Sequence, residues 1–236
     1  MREIISTLLF LHICAGCTAF ITAPIALITA KGGKAHRQAG KIYFWAMALV
    51  ALTAVLLGVL RPILFLALVA IFSFYSAFSG YRVLFRKRPL AGKGPRLLDW
   101  SAALVTFVTS LALFITGTFF HFGSLGKLGW TAGLFGIVGM AISGGDLRQF
   151  IRPPTDKNFW WFSHMFNMIG SYIAAVTAFS AVVIGRSFGQ TPLVWFWPIA
   201  VGVPLTALWA RKCRRFAASI KTVSRPTSAK SAGVPS

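Results

Sequence analysis

Acidic residues are almost missing from this chain. Four Asp and Glu stand against 24 Lys and Arg, and charged residues of both signs make up 12% of 236 positions, about half the share of a soluble domain. That excludes an ordinary water-facing surface. Three cysteines exclude a disulfide framework. Cys14 and Cys17, a helical turn apart in an apolar run, read as small packing residues, and Cys213 in the basic tail as a reduced thiol. Only four histidines occur, none in an HxxxH or HExxH spacing that would mark a metalloenzyme. No internal repeat and no segment fit for a soluble domain are present.

What fills the chain is apolar. It is 56% hydrophobic with a mean hydropathy of +0.73, and several runs exceed the roughly 18 apolar residues that mark a membrane-crossing helix. The expectation is an all-α polytopic membrane protein, a bundle of about seven transmembrane helices over residues 1–210, followed by a basic, disordered tail over 211–236.

The first run, Ile4 to Ala30, is too long and too weakly basic at its start for a cleaved signal peptide, although Ala15-Gly16-Cys17 faintly resembles a lipoprotein cleavage site. Its small residues Ala15, Gly16, Ala19 and Ala23 mark a face that another helix or a flat cofactor can approach. A basic loop, Lys31 to Lys41, contains His36, and helix 2 runs to about Leu60. Helix 3 ends near Phe85, before the basic connection Arg86 to Arg96. Asp99 stands where an N-cap belongs, before the run from Trp100 to Phe120. His121 closes that fourth helix. Helix 5 spans Trp130 to about Gly145, helix 6 Phe159 to Gly185, and helix 7 Pro192 to Ala210, with kinks expected at Pro198 and Pro204.

The cations sort by side. Twenty of the 24 fall after helices 1, 3 and 5 or in the tail; Arg2, Arg61, Lys127 and Arg186 fall opposite. The positive-inside rule then puts the N-terminus outside and the C-terminus in the cytoplasm. The basic excess is explained by topology, so nucleic acid is not an expected partner; the lipid bilayer is, together with a redox partner if the chain carries electrons.

This topology places His36 and His164 near the cytoplasmic surface and His12 and His121 toward the outer one. His164 shares a helical face with Met168, Ser171 and Ala175. Two facing neutral imidazoles are what a b-type haem requires, and two such sites would carry an electron across the membrane. The alternative is a zinc or iron site, and a metal-dependent membrane enzyme, built from His36, His164, Asp146 and Asp99. Against it, Asp99 reads more simply as a cap and Asp146 as a partner of Arg148, Arg152 or Arg37. A third reading is a transport or scaffold protein in which the histidines hydrogen-bond across helices and Phe159 to Phe162 form an interfacial belt. A retinal receptor is excluded, because helix 7 has no lysine for a Schiff base.

Two stretches carry a family likeness: His12-x3-Gly16 through Ala23-Pro24, Lys31-Gly32 and His36-Arg37-x2-Gly40-Lys41-x-Tyr43, and then His164-x3-Met168-Ile169-x-Ser171-Tyr172. The pattern resembles a family of bacterial predicted membrane proteins carrying a domain of unknown function. That resemblance implies an integral protein of the bacterial inner membrane and names no activity. The layout of the histidines is also similar to that of cytochrome b561-type electron carriers, which is the analogy behind the haem expectation.

Overall fold

A computed structural model describes residues 1–61, 64–92, 94–119, 129–189 and 191–223. Among these there is no strand. The helices are α1 (Arg2–Ile28), α2 (Lys34–Leu60), α3 (Leu64–Arg82), α4 (Leu97–Phe119), α5 (Gly129–Ile151), α6 (Phe159–Phe179), α7 (Gly185–Phe188) and α8 (Pro192–Val223). A single π turn, Ser180–Ile184, joins α6 to α7, so the two form one continuous rod. Trp197 of α8 donates its indole N–H to Ser180 Oγ there, at 2.7 Å.

Six helical stretches are long and apolar enough to cross a membrane: Arg2–Ile28, Lys34–Leu60, Phe65–Phe85, Leu97–Phe119, Phe159–Ser187 and Leu193–Arg214. The chain is an all-helical, multi-pass membrane protein. α5 matches α4 in length, at 23 residues, but is not among the six; glycines at 129, 133, 136, 139, 144 and 145 dilute its hydropathy. All of these except Gly145 face α4 and let the two helices lie close. A Cβ at Gly136 would stand 2.5 Å from the Phe114 backbone nitrogen, and one at Gly117 2.5 Å from that of Gly133. Small residues are how membrane helices bring their backbones together.

α3 is the central helix, packed by α2, α4, α5 and α6, whereas α1 lies on the outside against α2. One core cluster, at the end away from the basic loops, gathers Phe65, Phe72, Leu113, Phe135 and Trp195. A second seats Ala19 and Ala23 of α1 on Tyr43, Met47 and Ala77. The face of α1 that packs is thus Ala15, Ala19 and Ala23, at helical spacing. Gly16 is off that face: a Cβ there would meet nothing within 4 Å. α8 is helical to Val223, past Ala210 where the sequence reading ended the bundle; residues 224–236 lie outside those described.

The α3–α4 connection shows what the acidic shortage costs. Asp99 is the third residue of α4 rather than its N-cap. Its Oδ2 accepts the Arg96 backbone N–H at 2.8 Å, the return half of a capping box. Arg82, at the end of α3, grips the same carboxylate with Nε and Nη2, both at 2.8 Å. One buried acid therefore closes α4 and clamps it to α3.

Candidate functional site

The connections α1–α2, α3–α4 and α5–α6 meet at the basic end of the bundle. Between them lies an open cavity of about 570 Å³, walled by α1, α2, α3, α6 and Trp209 of α8. His36 and His164 both line it. Their ring centres are 6.2 Å apart and the rings stand at 77° to each other. Two histidines 128 positions apart in sequence thus share one site.

Helix termini hold both rings. The last carbonyls of a helix lack intrahelical donors. At the end of α1, Ala26 O takes the His36 Nδ1–H at 2.9 Å and the Lys31 ammonium at 3.2 Å; Lys31 also donates to Leu27 O. In the last turn of α3, Gly80 O takes the His164 Nδ1–H at 2.7 Å. A carbonyl can only accept, so Nδ1 carries a proton in each ring, and in the neutral imidazole Nε2 is the nitrogen with the free lone pair. An Nδ1–H donated to a carbonyl is the usual support of a metal-binding imidazole. The approach of α6 to α3 depends on Gly80 having no side chain, because a Cβ would lie 3.1 Å from both Asn167 Cβ and Met168 Cγ.

Around the imidazoles the wall is aromatic and the rim is cationic. Trp160, Trp161, Trp209 and Tyr172 contribute ring faces or edges, and Trp161 and Trp209 rings pack at 6.5 Å. Lys31, Arg37, Lys41 and Lys87 line the same cavity, and no Asp or Glu lines it among the described residues. Lys87 Nζ sits 4.3 Å from the Trp160 ring centre, and Lys31 Nζ 5.4 Å from that of Trp209. Burial lowers the proton affinity of Lys31 below an ordinary lysine's. Deeper in, Tyr43 donates to Ser171 Oγ at 2.9 Å, tying α2 to α6 beneath the histidines.

The other expected site residues are placed elsewhere. His12 is spoken for at Nδ1, which meets Thr53 Oγ1 at 3.0 Å and Val50 O at 3.2 Å. His121, its expected partner, lies outside the described residues. Asp99 is bound by Arg82 and Arg96 as above. Asp146 Oδ2 accepts the Tyr75 hydroxyl at 2.8 Å and that of Ser79, so its hydrogen-bond partners are on α3 and are not the expected Arg148, Arg152 or Arg37. The set His36, His164, Asp146 and Asp99 is not gathered at one point. Among the described residues no three His, Cys, Asp or Glu side chains are grouped to hold a metal ion.

Sequence reasoning paired His36 with His164 from their depth, but missed the rim and the carbonyl anchors. The rim had a visible signal in Arg37 and Lys41, one helical turn apart beside His36. Lys87 and Trp209 reach the cavity from other elements and had none. No family model, no curated protein and no solved structure matches this chain.

Proposed function

We propose that the chain is a membrane electron carrier that holds one b-type haem between His36 and His164 at its basic end. The observation that carries this reading is the 6.2 Å separation of two imidazoles whose Nδ1 protons are committed to backbone carbonyls. Two imidazoles on opposite sides of one metal, with each nitrogen about 2.0–2.1 Å from it, have ring centres about 6 Å apart. A bare ion would need further protein ligands, whereas a tetrapyrrole supplies the remaining nitrogens itself and asks the protein for two axial ones. An apolar, Trp-lined cavity with cations at its mouth suits a flat apolar ring with acidic edges. When bound, the haem would supply one-electron chemistry; this chain's residues would orient it, exclude water and pair its carboxylates.

The orientation belongs to the same proposal. Seven crossings, with α5 spanning beside α4, put the N-terminus outside and the His36/His164 site on the cytoplasmic side of a bacterial inner membrane. A second haem using His12 is not part of this proposal, because the Nδ1 of His12 is tied to α2 and no second imidazole stands beside it among the described residues.

The test is the visible spectrum of the detergent-purified chain, oxidised and dithionite-reduced. A sharp Soret band that shifts on reduction, with an α band, is the expected result at about one haem per chain. A colourless protein that also fails to take up added haemin would overturn it.

A further inference from the structure

One buried acid is left without a role by the haem site. Asp146 of α5 is 6% exposed and makes no ion pair among the described residues; its hydrogen bonds come from two hydroxyls, Tyr75 at 2.8 Å and Ser79. An unpaired carboxylate between membrane helices is costly and marks a functional group by default. Its hydrogen bonds also reach the helix that carries His164. Ser79 Oγ, which donates to Asp146, accepts from Asn167 Nδ2 at 3.2 Å, and Asn167 is one turn beyond His164 on α6. Ser79 and Gly80 are neighbours in α3: the Gly80 carbonyl anchors His164 and the Ser79 hydroxyl anchors the acid.

The charges around Asp146 do not cancel pairwise. From α4, Asp99 faces it but is held by Nε and Nη2 of Arg82. In the α3–α4 connection, Arg86 is 8% exposed, its Nε has no hydrogen-bond partner, and it stands 3.9 Å from Asp99 Oδ1 with its guanidinium over the Phe150 ring at 4.6 Å. Tyr75 of α3 contributes a neutral hydroxyl, and α6 contributes His164 beyond Asn167. Two arginines and two aspartates balance only while Asp146 is ionised. A proton on Asp146 leaves one excess positive charge, which a single electron arriving at the neighbouring site would offset.

We propose that Asp146 is a redox-linked proton site: the reduced His36/His164 site favours its protonated carboxyl, and the oxidised site its carboxylate. The electron comes from a one-electron reductant, the proton from water at the basic end, and the only bond formed in the protein is the carboxyl O–H. This proposal rests on the haem reading above. Unit charges roughly 10 Å apart, at an effective dielectric constant near 20, alter each other's equilibrium about tenfold, which for a one-electron couple is about 59 mV.

The experiment is a dithionite redox titration of the full chain, reconstituted with haemin where needed, from about pH 5 to about pH 9. The parent midpoint potential should fall by about 59 mV in total as pH rises, and Asp146→Asn should be flat across the range. Ser79→Ala, which removes one donor to the ionised form, should move the sloping region to higher pH even if Asp146→Asn does not fold. A parent potential independent of pH, an unchanged slope in Asp146→Asn, or an unmoved window in Ser79→Ala each overturns the proton site while leaving the haem in place. Absence of any haem signal overturns both readings.

Discussion

One substitution, Gly→Ala, should have three different outcomes at three helical positions, and the differences follow from what each new methyl would touch. In a helix interior, Ala is favoured over Gly by roughly 0.5–1 kcal/mol. At Gly16 the Cβ meets nothing within 4 Å, so the variant should keep that gain. At Gly80 the Cβ would stand 3.1 Å from Asn167 Cβ and 3.2 Å from the Met168 backbone nitrogen. α6 must then retreat by a few tenths of an ångström, and overpacking of this kind costs about 1–3 kcal/mol. The net effect should be a loss of up to about 2 kcal/mol, together with a weakened haem signal, because the same movement stretches the 2.7 Å bond from His164 to Gly80 O. At Gly136 the Cβ would lie 2.5 Å from the Phe114 nitrogen and 2.7 Å from its Cα. Backbone cannot swing aside as a side chain can, so α4 and α5 must part, at a cost of about 3 kcal/mol or more. Unfolding in a denaturing detergent titration reads all three. The expected order of stability is Gly16→Ala, parent, Gly80→Ala, Gly136→Ala. If Gly136→Ala is as stable as Gly16→Ala, the close approach of α4 and α5 is wrong.

Two further perturbations test other parts of the account. Asp99→Ala should destabilise by about 3–5 kcal/mol, the cost of stranding the partner of a buried ion pair, and should cost far more than Asp156→Ala in a loop; equal melting temperatures for the two would remove the α3–α4 clamp. A reporter fused after Ser236 should be active only on the cytoplasmic side and one inserted between α4 and α5 only on the outer side; the same side for both would sink the proposed orientation.

Much of the fold was legible because membrane helices announce themselves through length and hydropathy, and cations mark their ends. The run from Ile4 to Ala30 and the helix α1 (Arg2–Ile28) differ by about a helical half-turn at each end. Rotation about each helix axis was less legible. Gly16 and Ala15 are neighbours in sequence, yet Ala15 packs and Gly16 does not. α1 is apolar on nearly every side, so no periodicity separates its lipid face from its protein face. Asp99 was read as a cap because it precedes an apolar run, but α4 starts two residues earlier and the acid serves Arg82 from α3. For Asp146 the sequence offers Arg148, Arg152 and Arg37 as partners, whereas Tyr75 and Ser79, some 70 positions away, make its hydrogen bonds. The pairing of His36 with His164 could be anticipated, since depth alone constrains two residues on helices that enter from one face. What fixes their orientation, the carbonyls of Ala26 and Gly80, is backbone and leaves no trace in side-chain chemistry.

The central claim is that one ligand is shared by His36 and His164, and the most direct measurement is haem content and reduced-minus-oxidised spectrum for His36→Ala, His164→Ala and the double variant, with His12→Ala as control. Each single variant should lose most of the parent signal, and the double variant should lose little more, because removal of either imidazole already dismantles the site. His12→Ala should retain the parent spectrum. Small losses that add cleanly between His36→Ala and His164→Ala, or a loss in His12→Ala as large as theirs, would contradict the shared site.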